Sequence, residues 1–453
     1  MKRKSQPTRA PKERFLVVGV LFTGDGARRQ PVDTRSNGDP LHEARSLIGA
    51  AGAGVVGQSI VQRRSKPDPS TLMGRGKVAE VHALVQSERP NAVYVDNDLT
   101  PAHVRNLERA FGVRVIDRSE LILDIFANRA KTRQARLQVE LAQVEYLRPR
   151  LRRMWTHLER TEGAVGTRGP GETQLETDRR LIDKRIRDLK VDLARIEERK
   201  QRQVRSRSER YTIGLVGYTN VGKSTLLNLV TGSVEFVADM PFATLDTRTR
   251  KWRLPDRRVV LLSDTVGFVQ RLPLHLVASF HATLEEALNV DLLVHVVDAS
   301  HPEAAAQVRA VEEVLAGLTK RGADVLVFNK LDLVEEPIRL HLLVEGRSQE
   351  VVYISARTGE GVDRLAAIVA RRLDLRSAVV ELAVPLADGR TAAAARAAGV
   401  VLSERVVDAE ELLLEVKLSE GALGNLRRAA PPDVRFRVLQ PVSEPLLRAD
   451  EEP

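Results

Sequence analysis

Residues 211–230 read YTIGLVGYTNVGKSTLLNLV, and this stretch decides the fold of the central part of the chain. Its first six residues form an apolar run typical of a buried strand, and residues 225–230 suit a helix. Residues 217–224, between them, have the Gly-x-x-x-x-Gly-Lys-Ser spacing of a phosphate-binding loop. Glycines let such a loop close around phosphates, while its amides and the helix N-terminus face their negative charge. A strand, loop and helix in this order predict a nucleotide-binding α/β domain with a mostly parallel sheet.

The chemistry of the loop residues assigns their predicted roles. Lys223 can reach the β- and γ-phosphates and contribute to catalysis, and Ser224 can hold a magnesium ion. Asn220 can hold a potassium ion near the phosphates, or its side chain can stabilise the loop by a hydrogen bond. The sequence leaves both roles of Asn220 open. The other predicted nucleotide contacts of this segment are Gly217, Tyr218, Thr219, Val221, Gly222 and Thr225.

A second motif follows the apolar run at residues 259–262 and is predicted to meet the same phosphates. Its aspartate, Asp264, can hold magnesium through water, and Gly267 can offer its amide to the γ-phosphate during catalysis. The whole motif is Asp264, Thr265, Val266 and Gly267.

Two later motifs, each after an apolar strand, predict the base. The N1–H and 2-amino groups of guanine are two donors that the carboxylate of Asp332 can accept together, and adenine lacks that pair. Asn329 can bond the other edge of the ring, the stem of Lys330 can cover it, and the backbone at residues 355–356 suits the guanine oxygen. The predicted base contacts are Asn329, Lys330, Leu331, Asp332, Ser355, Ala356 and Arg357. Four motifs in this order predict GTP and GDP as ligands.

A switch segment carrying a threonine that senses the γ-phosphate is expected between the loop and Asp264. Thr244 is our choice for this second magnesium ligand and catalytic contributor, with Thr247 and Thr249 as alternatives. Phe268 stands where a glutamine would orient the attacking water, so we expect slow hydrolysis that a partner accelerates by roughly 10³–10⁵-fold. The other predicted contacts of the switch are Phe242, Ala243, Leu245 and Asp246.

Composition narrows the classes of function. The 453 residues include no cysteine, which excludes disulfides, zinc–thiolate sites and thiol catalysis and fits a reducing cytoplasm. No apolar run reaches the roughly 18 residues of a membrane span. Residues 1–14 are basic without an apolar core, which favours a disordered tail over a targeting peptide. We expect a cytoplasmic monomer.

The basic charge of the chain is concentrated in one region. Residues 129–210 hold 23 Lys and Arg against 13 Asp and Glu, a surplus equal to the net charge of +10 of the whole chain. Such an excess favours contact with nucleic acid over a merely solvated helical face. Apolar residues recur here every seven positions in two stripes, which predicts an antiparallel coiled-coil hairpin. The stripes are Leu137, Val144, Leu151 and Leu158, and then Leu175, Ile182, Leu189 and Ile196.

The Gly-rich turn at residues 163–172, with Arg168 at its tip, can probe a crevice in a large partner or merely connect the helices. The flanking regions complete the predicted α/β fold class. Strands at 15–20, 91–96 and 113–116 alternate with helices at 41–51, 77–87, 101–111 and 119–127, which predicts a largely parallel sheet. Residues 74–77, Gly-Arg-Gly-Lys, can form a second phosphate-binding turn, although a plain helix start is favoured.

Beyond residue 377, β-like runs at 379–384, 412–418 and 434–439 and a helix at 390–398 predict a small α+β module. The predicted division is a basic tail (1–14), an N-terminal α/β domain (15–128), a helical hairpin (129–209), a GTPase domain (210–376) and a C-terminal domain (377–453).

Further stretches, together with these motifs, resemble the HflX family of ribosome-associated GTPases, which is related to Obg-type GTPases. They are residues 67–69, 74–77, 105–108, 117–126, 138–142 and 168–176. The chain departs from the family at residues 247–250, where Thr-Arg-Thr-Arg replaces the usual Pro-Thr-Thr-Arg.

The resemblance implies a protein that binds the large ribosomal subunit and its rRNA and that acts on intact ribosomes. With GTP it would split or rescue stalled or idle ribosomes under stress, and the ribosome would stimulate hydrolysis. It also implies a location partly on ribosomes or peripheral to the membrane. Two alternatives stay open: a factor in large-subunit assembly or anti-association, and an ATP-dependent RNA-remodelling activity of the N-terminal part, regulated by the GTPase.

Overall fold

The computed structural model describes residues 13–23, 39–153, 170–205, 211–233, 248–264, 267, 288–319, 322–334, 349–407 and 410–442. Several predictions concern residues outside these ranges. They include most of the basic tail, the turn around Arg168, and Phe242, Ala243, Thr244, Leu245, Asp246, Thr247, Thr265, Val266 and Phe268.

The N-terminal part folds around a parallel sheet, as predicted. Strand β1 pairs with β2 and β3 on one side and with β4 on the other, and β5 lies beside β4, all in parallel. The short strands β2 and β3 were not predicted, because neither has a long apolar run. The elements are β1 (Arg14–Phe22), α1 (His42–Ala51), β2 (Gly54–Val55), β3 (Ile60–Arg64), α2 (Arg75–Glu88), β4 (Ala92–Val95), α3 (Pro101–Phe111), β5 (Arg114–Asp117) and α4 (Arg118–Arg129).

Two helices follow and pack side by side. Helix α5 (Arg133–Leu147) begins at Thr132, whose side chain accepts from the amide of Ala135. It gives way to a 3₁₀ turn (Arg148–Arg153) that contains Pro149, because proline lacks the N–H that would continue the α-helical bonding. Helix α6 spans Pro170–Arg205. Four residues of the predicted stripes, Leu137, Val144, Ile182 and Leu189, lie in one cluster with Leu141, Ile186 and Leu193, while Ile196 is half-buried outside that cluster.

The central part is a six-stranded sheet in the order β11-β10-β9-β6-β8-β7, with only the edge strand β7 antiparallel to its neighbour. Strands β9 and β10 are buried along their whole length, in keeping with sequences that are apolar apart from His295, Asp298 and Asn329. The elements are β6 (Thr212–Gly217), α7 (Lys223–Thr231), β7 (Arg248–Arg253), β8 (Val259–Asp264), β9 (Leu292–Asp298), α8 (Ala304–Leu318), β10 (Val325–Asn329), β11 (Glu350–Tyr353) and α9 (Val362–Leu375).

The C-terminal part is an antiparallel sheet in the order β13-β14-β12-β15, packed against two helices. Strand β14 alternates buried and half-buried residues because one face of the sheet meets the helices. The predicted α+β class is confirmed, while β13 and α11 were not predicted. The elements are β12 (Ser377–Pro385), α10 (Gly389–Ala398), β13 (Val400–Val407), β14 (Glu411–Ser419), α11 (Glu420–Ala429) and β15 (Arg435–Gln440).

One cluster of buried apolar side chains connects the N-terminal sheet, helix α5 and the central sheet. It includes Leu47 of α1, Tyr94 of β4 and Tyr146 of α5, together with Leu215 of β6 and with Tyr218 of the loop that follows β6. Across the described ranges, no helix is both long and apolar enough to cross a bilayer.

Candidate nucleotide site

The glycines of the phosphate-binding loop are required by contacts within the protein itself. Gly217 ends β6 with φ +151°, and a Cβ there would lie 2.2 Å from the carbonyl oxygen of Val296 in β9. Gly222 has φ +93°, and a Cβ there would lie 2.3 Å from the side-chain nitrogen of Asn329. The sequence predicted that these glycines make room for phosphate. The structure shows in addition that they make room for the neighbouring strand and loop.

Lys223, the first residue of α7, is buried under this loop with 6% of its surface exposed. Its Nζ donates to the carbonyl oxygens of Gly217, at 3.0 Å, and Tyr218, at 2.8 Å. Burial lowers the pKa of Lys223 to about 8, although the nearby charge of Asp264 acts in the opposite direction. A poorly solvated cation gains from an anionic ligand, so this lysine suits a phosphate.

The two described candidates for metal ligands lie in direct contact. Ser224 Oγ donates to Asp264 Oδ2 at 2.6 Å, and Asp264 is fully buried at the end of β8. Hydroxyl and carboxylate oxygens are the donor set that magnesium prefers. Gly267 packs on the loop as well, because a Cβ there would lie 2.8 Å from Thr219 Cγ2 and 3.1 Å from Lys223 Nζ. The structure therefore brings the two predicted motifs together.

Asn329 joins the phosphate-binding loop to the loop after β11. Its Nδ2 donates to the carbonyl oxygen of Val221 at 2.7 Å, and its Oδ1 accepts from the amide of Ala356 at 2.8 Å. The side chain of Asn329 is buried, and its two hydrogen bonds hold the two loops together. The amide group keeps one N–H for the predicted contact with the guanine edge.

Asp332 and Ser355, predicted to meet the base, are also neighbours. Ser355 Oγ donates to Asp332 Oδ1 at 2.6 Å and accepts from the amide of Thr358 at 3.2 Å. Lys330 has φ +64°, and its Nζ lies 2.6 Å from Asp298 Oδ2. This ion pair orients the lysine stem beside the loop that carries Asp332. Leu331 donates its amide to the carbonyl oxygen of Ile354 at 3.1 Å, and Arg357 is exposed.

Asn220 and Thr225 complete the described candidates. Asn220 is exposed with φ +62°, a left-handed backbone that asparagine adopts more readily than most residues. Within the described ranges, no hydrogen bond links its side chain to the loop. Thr225 lies half-buried in the first turn of α7.

The other predicted phosphate turn, residues 74–77, is a helix start. Gly74 is the N-cap of α2, and its amide donates to Gln62 Oε1 at 2.9 Å. A Cβ on Gly74 would lie 2.5 Å from Arg64 Nη1, so a cationic side chain crowds this glycine. Lys77 pairs with Glu80 at 2.6 Å. The favoured interpretation as an ordinary helix start accounts for these contacts.

Two features of the site were not predicted. Asp298, the partner of Lys330, ends the buried strand β9, and an acidic residue after such a strand was the available signal. The other is a hydrogen bond from the Tyr218 hydroxyl to the carboxylate of Glu43 in α1. These residues are 175 positions apart, so no local pattern could have indicated the contact.

A phosphate-binding loop with a buried lysine, a serine–aspartate pair and an Asn-Lys-x-Asp motif define a P-loop GTPase. Models of three protein families match the chain: GTP-binding GTPase N-terminal over residues 38–127, GTP-binding GTPase Middle Region over 129–207, and 50S ribosome-binding GTPase over 212–330.

Curated relatives give the particular family. The chain is 40% identical over 380 residues to GTPase HflX of Caldanaerobacter subterraneus, covering 83% of this chain and 84% of that one. It is 42% identical over 383 residues to GTPase HflX of Escherichia coli, covering 83% and 87%. With GTPase HflX of Akkermansia muciniphila it shares 41% over 423 residues, covering 90% and 94%. The chain belongs to the HflX family, and it is an enzyme that hydrolyses GTP.

Among solved structures, a GTP-binding protein from Sulfolobus solfataricus in complex with GDP covers 79% of this chain and 98% of its own. Its sequence identity is 23% and its TM-score is 0.41, values that support no conclusion about function.

Proposed function

We propose that this GTPase binds the large ribosomal subunit and its rRNA and, with GTP, splits or rescues stalled or idle ribosomes. The observation that carries the proposal is the hairpin of α5 and α6, in the most basic region of the chain. Ion pairs join its two helices, with Arg148 2.8 Å from Asp183 and Lys190 2.9 Å from Glu145. A stiff hairpin with exposed cations suits insertion between segments of a folded RNA.

The nucleotide would act as the switch. In this proposal Lys223 and Gly267 meet the β- and γ-phosphates, while Asp332 and Ser355 select guanine. Ser224 and Asp264, with Thr244, hold magnesium, which neutralises phosphate charge when bound. A potassium ion at Asn220 is a further part of the same proposal.

We further propose that the chain is divided into an N-terminal domain (15–128), the hairpin (129–209), the GTPase domain (210–376) and a C-terminal domain (377–453). The description of one matching family as a 50S ribosome-binding GTPase supports a partner on the large subunit.

Sedimentation of intact ribosomes with the protein and a non-hydrolysable GTP analogue tests the proposal. We expect separate subunits, with the protein on the large one. Binding only to free large subunits, with intact ribosomes unchanged, would indicate an assembly factor instead. Absence of ribosome binding in every nucleotide state would contradict the proposal.

A charge-reversal variant tests the role of the hairpin. Arg179, Lys184 and Arg187 are exposed on α6, and changing all three to glutamate should abolish ribosome binding and splitting. The matched control reverses three exposed arginines of the C-terminal part, Arg390, Arg427 and Arg437, with the same change in net charge. Equal loss in both variants would show an effect of total charge rather than of the hairpin.

A further inference from the structure

Tyr218 connects the nucleotide loop to the N-terminal domain. Its carbonyl oxygen accepts from Lys223 Nζ at 2.8 Å, and its hydroxyl donates to the carboxylate of Glu43 in the first turn of α1. Its side chain lies in the apolar cluster shared by the two parts, with 7% of its surface exposed. One residue thus contacts both the lysine of the loop and a neighbouring domain.

Glu43 is held from its other side by Arg118, the first residue of α4. Arg118 Nη2 donates to Glu43 at 3.0 Å and Nη1 donates to Asp96 at 2.6 Å, while Tyr94 donates its hydroxyl to the same Asp96 oxygen at 2.8 Å. The side chain of Arg118 is 2% exposed. A planar guanidinium between two carboxylates fixes the distance and direction between them. The carboxylate of Glu43 is therefore held in place and restrains the Tyr218 hydroxyl bonded to it.

Asp117, the residue before Arg118, forms hydrogen bonds with two residues of the hairpin. Asp117 accepts from the hydroxyl of Tyr146 at 2.9 Å and from Arg150 Nη2 at 3.1 Å, and it caps α4 through the amide of Glu120 at 2.8 Å. We call Tyr146 and Arg150 the hairpin anchor. Arg150 also lies over the Tyr146 ring at 3.6 Å and donates to the carbonyl oxygen of Leu99 at 2.7 Å.

Two consecutive residues at the junction of β5 and α4 therefore face different parts of the molecule. Asp117 faces the hairpin anchor, and Arg118 faces the nucleotide loop through Glu43. We propose that Arg118, Glu43 and Tyr218 are positioning residues that couple the docking of the hairpin to the geometry of the phosphate-binding loop. They act through the carbonyl oxygen that holds Lys223, and none of them is a catalytic residue.

This coupling goes beyond the ribosomal role proposed above and does not rest on it, because its test uses the free full-length protein. The readout is the rate at which a fluorescent GDP is released when excess unlabelled GDP is added. Tyr218→Phe removes the hydroxyl, and Glu43→Gln leaves a single acceptor oxygen for two donors, Tyr218 and Arg118, each with little change of shape. Each should speed release by about threefold to tenfold, the effect of losing one hydrogen bond that orders the loop.

The double variant distinguishes coupling from two unrelated defects. If Tyr218 and Glu43 act through each other, the Tyr218→Phe, Glu43→Gln protein should release GDP no faster than the faster single variant. Tyr211→Phe is the control, since it removes the hydroxyl of a half-buried tyrosine at the opposite end of β6 and should leave the rate unchanged.

A second variant and its matched control test the part of the coupling that involves the hairpin. Arg150→Ala breaks the hairpin anchor and should also speed release. Arg148→Ala, in the same 3₁₀ turn, breaks only the pair with Asp183 inside the hairpin and should not. Melting temperatures of all variants complete the test, since a purely structural role would lower them without changing release.

Three results would each overturn the proposal: unchanged release in Tyr218→Phe, additive effects in the double variant, or equal release rates in Arg150→Ala and Arg148→Ala. None of these results depends on whether the protein acts on ribosomes.

Discussion

The N-terminal sheet is parallel and the GTPase sheet is mostly parallel, and both have buried polar residues at or just beyond the ends of their strands, yet these residues have different partners. At the ends of β8 and β10, Asp264 and Asn329 contact the glycine-rich loop and its serine. At the end of β5 and just after β4, Asp117 and Asp96 contact the large side chains of Tyr146, Arg150, Arg118 and Tyr94. The polar residues of one sheet meet a glycine-rich loop, and those of the other meet bulky side chains.

The difference shows that a sheet of this kind determines where a site can form, while the residues at its strand ends determine whether that site binds a ligand. Ligands of open α/β sheets bind outside the carboxyl ends of the strands. Glycines decide whether that space can accept phosphate, since they bring backbone amides close without a side chain. The N-terminal sheet carries bulky aromatic and guanidinium groups in the equivalent place, so we infer that its residues serve to connect parts of the molecule.

Breaking the N-terminal cluster should have the largest effect. Arg118→Ala leaves Glu43 and Asp96 without the guanidinium between them, and losing one partner of a buried ion pair costs about 3–5 kcal/mol of folding free energy. The control is Arg114→Ala, which removes the more exposed pair with Glu120 at the other end of β5 and should cost about 0–1 kcal/mol. Urea unfolding of both variants measures the difference, and equal costs would mean that the cluster is not a structural junction.

Substitution of Lys223 and of Lys77 tests whether both sheets carry a phosphate site. Lys223→Ala removes a preorganised charge at the phosphates and should slow GTP hydrolysis by roughly 10²–10³-fold. Lys77→Ala, in the Gly-Arg-Gly-Lys start of α2, should leave GTP hydrolysis unchanged, because Lys77 pairs with Glu80 on the surface. Phosphate release under saturating GTP measures both. A large loss in Lys77→Ala would show that the N-terminal sheet carries a second phosphate site.

Selectivity for the base tests whether nucleotide chemistry is confined to the GTPase sheet. Asp332→Asn replaces an acceptor of two guanine donors by an amide, so GTP affinity should fall roughly 10²-fold. The xanthine nucleotide XTP, whose C2 oxygen can accept from the new amide, should bind the variant more tightly than GTP does. Calorimetry with both nucleotides measures the exchange of preference. Any ATP hydrolysis that survives this substitution unchanged would have to come from another site.

The smallest effect concerns pH. Lys223 has a pKa of about 8, below its ordinary 10.5, because burial disfavours the ammonium. Phosphate favours the charged form, so nucleotide affinity should fall as pH rises through 8, by about tenfold between pH 7 and 9. The guanidinium of Lys223→Arg stays charged throughout, so its affinity should not follow this trend. If both proteins lose affinity equally, the titrating group is not Lys223.

Much of the central fold was predictable because its signals are local. The strand, loop and helix around Gly217 and Lys223 lie within one short stretch, and each later motif directly follows its own apolar strand. The parallel pairing of the N-terminal strands followed from their alternation with helices. The coiled-coil seam was visible as a repeat of seven.

The rest depends on contacts between distant residues or on weak patterns. Strand β13 is mostly exposed, and Ser403, Glu404 and Arg405 interrupt its apolar residues, so they form neither a continuous run nor an alternating pattern. Asn329 was assigned to the base from its motif, whereas its contacts with Val221 and Ala356 are visible only in three dimensions. The bond from Tyr218 to Glu43 joins the phosphate-binding loop to helix α1, and nothing near either residue predicts the other.

The ion pair between Arg148 and Asp183 marks the point beyond which α6 runs on to its start at Pro170. At a rise of about 1.5 Å per residue, this outer part of the helix is about 20 Å long. It is a lever arm with its fulcrum beside the hairpin anchor. A tilt of about 10° at the fulcrum would carry Pro170 through about 3 Å, given that length. A force applied to the outer end of α6 would act as a torque on the 3₁₀ turn that carries both Arg148 and Arg150.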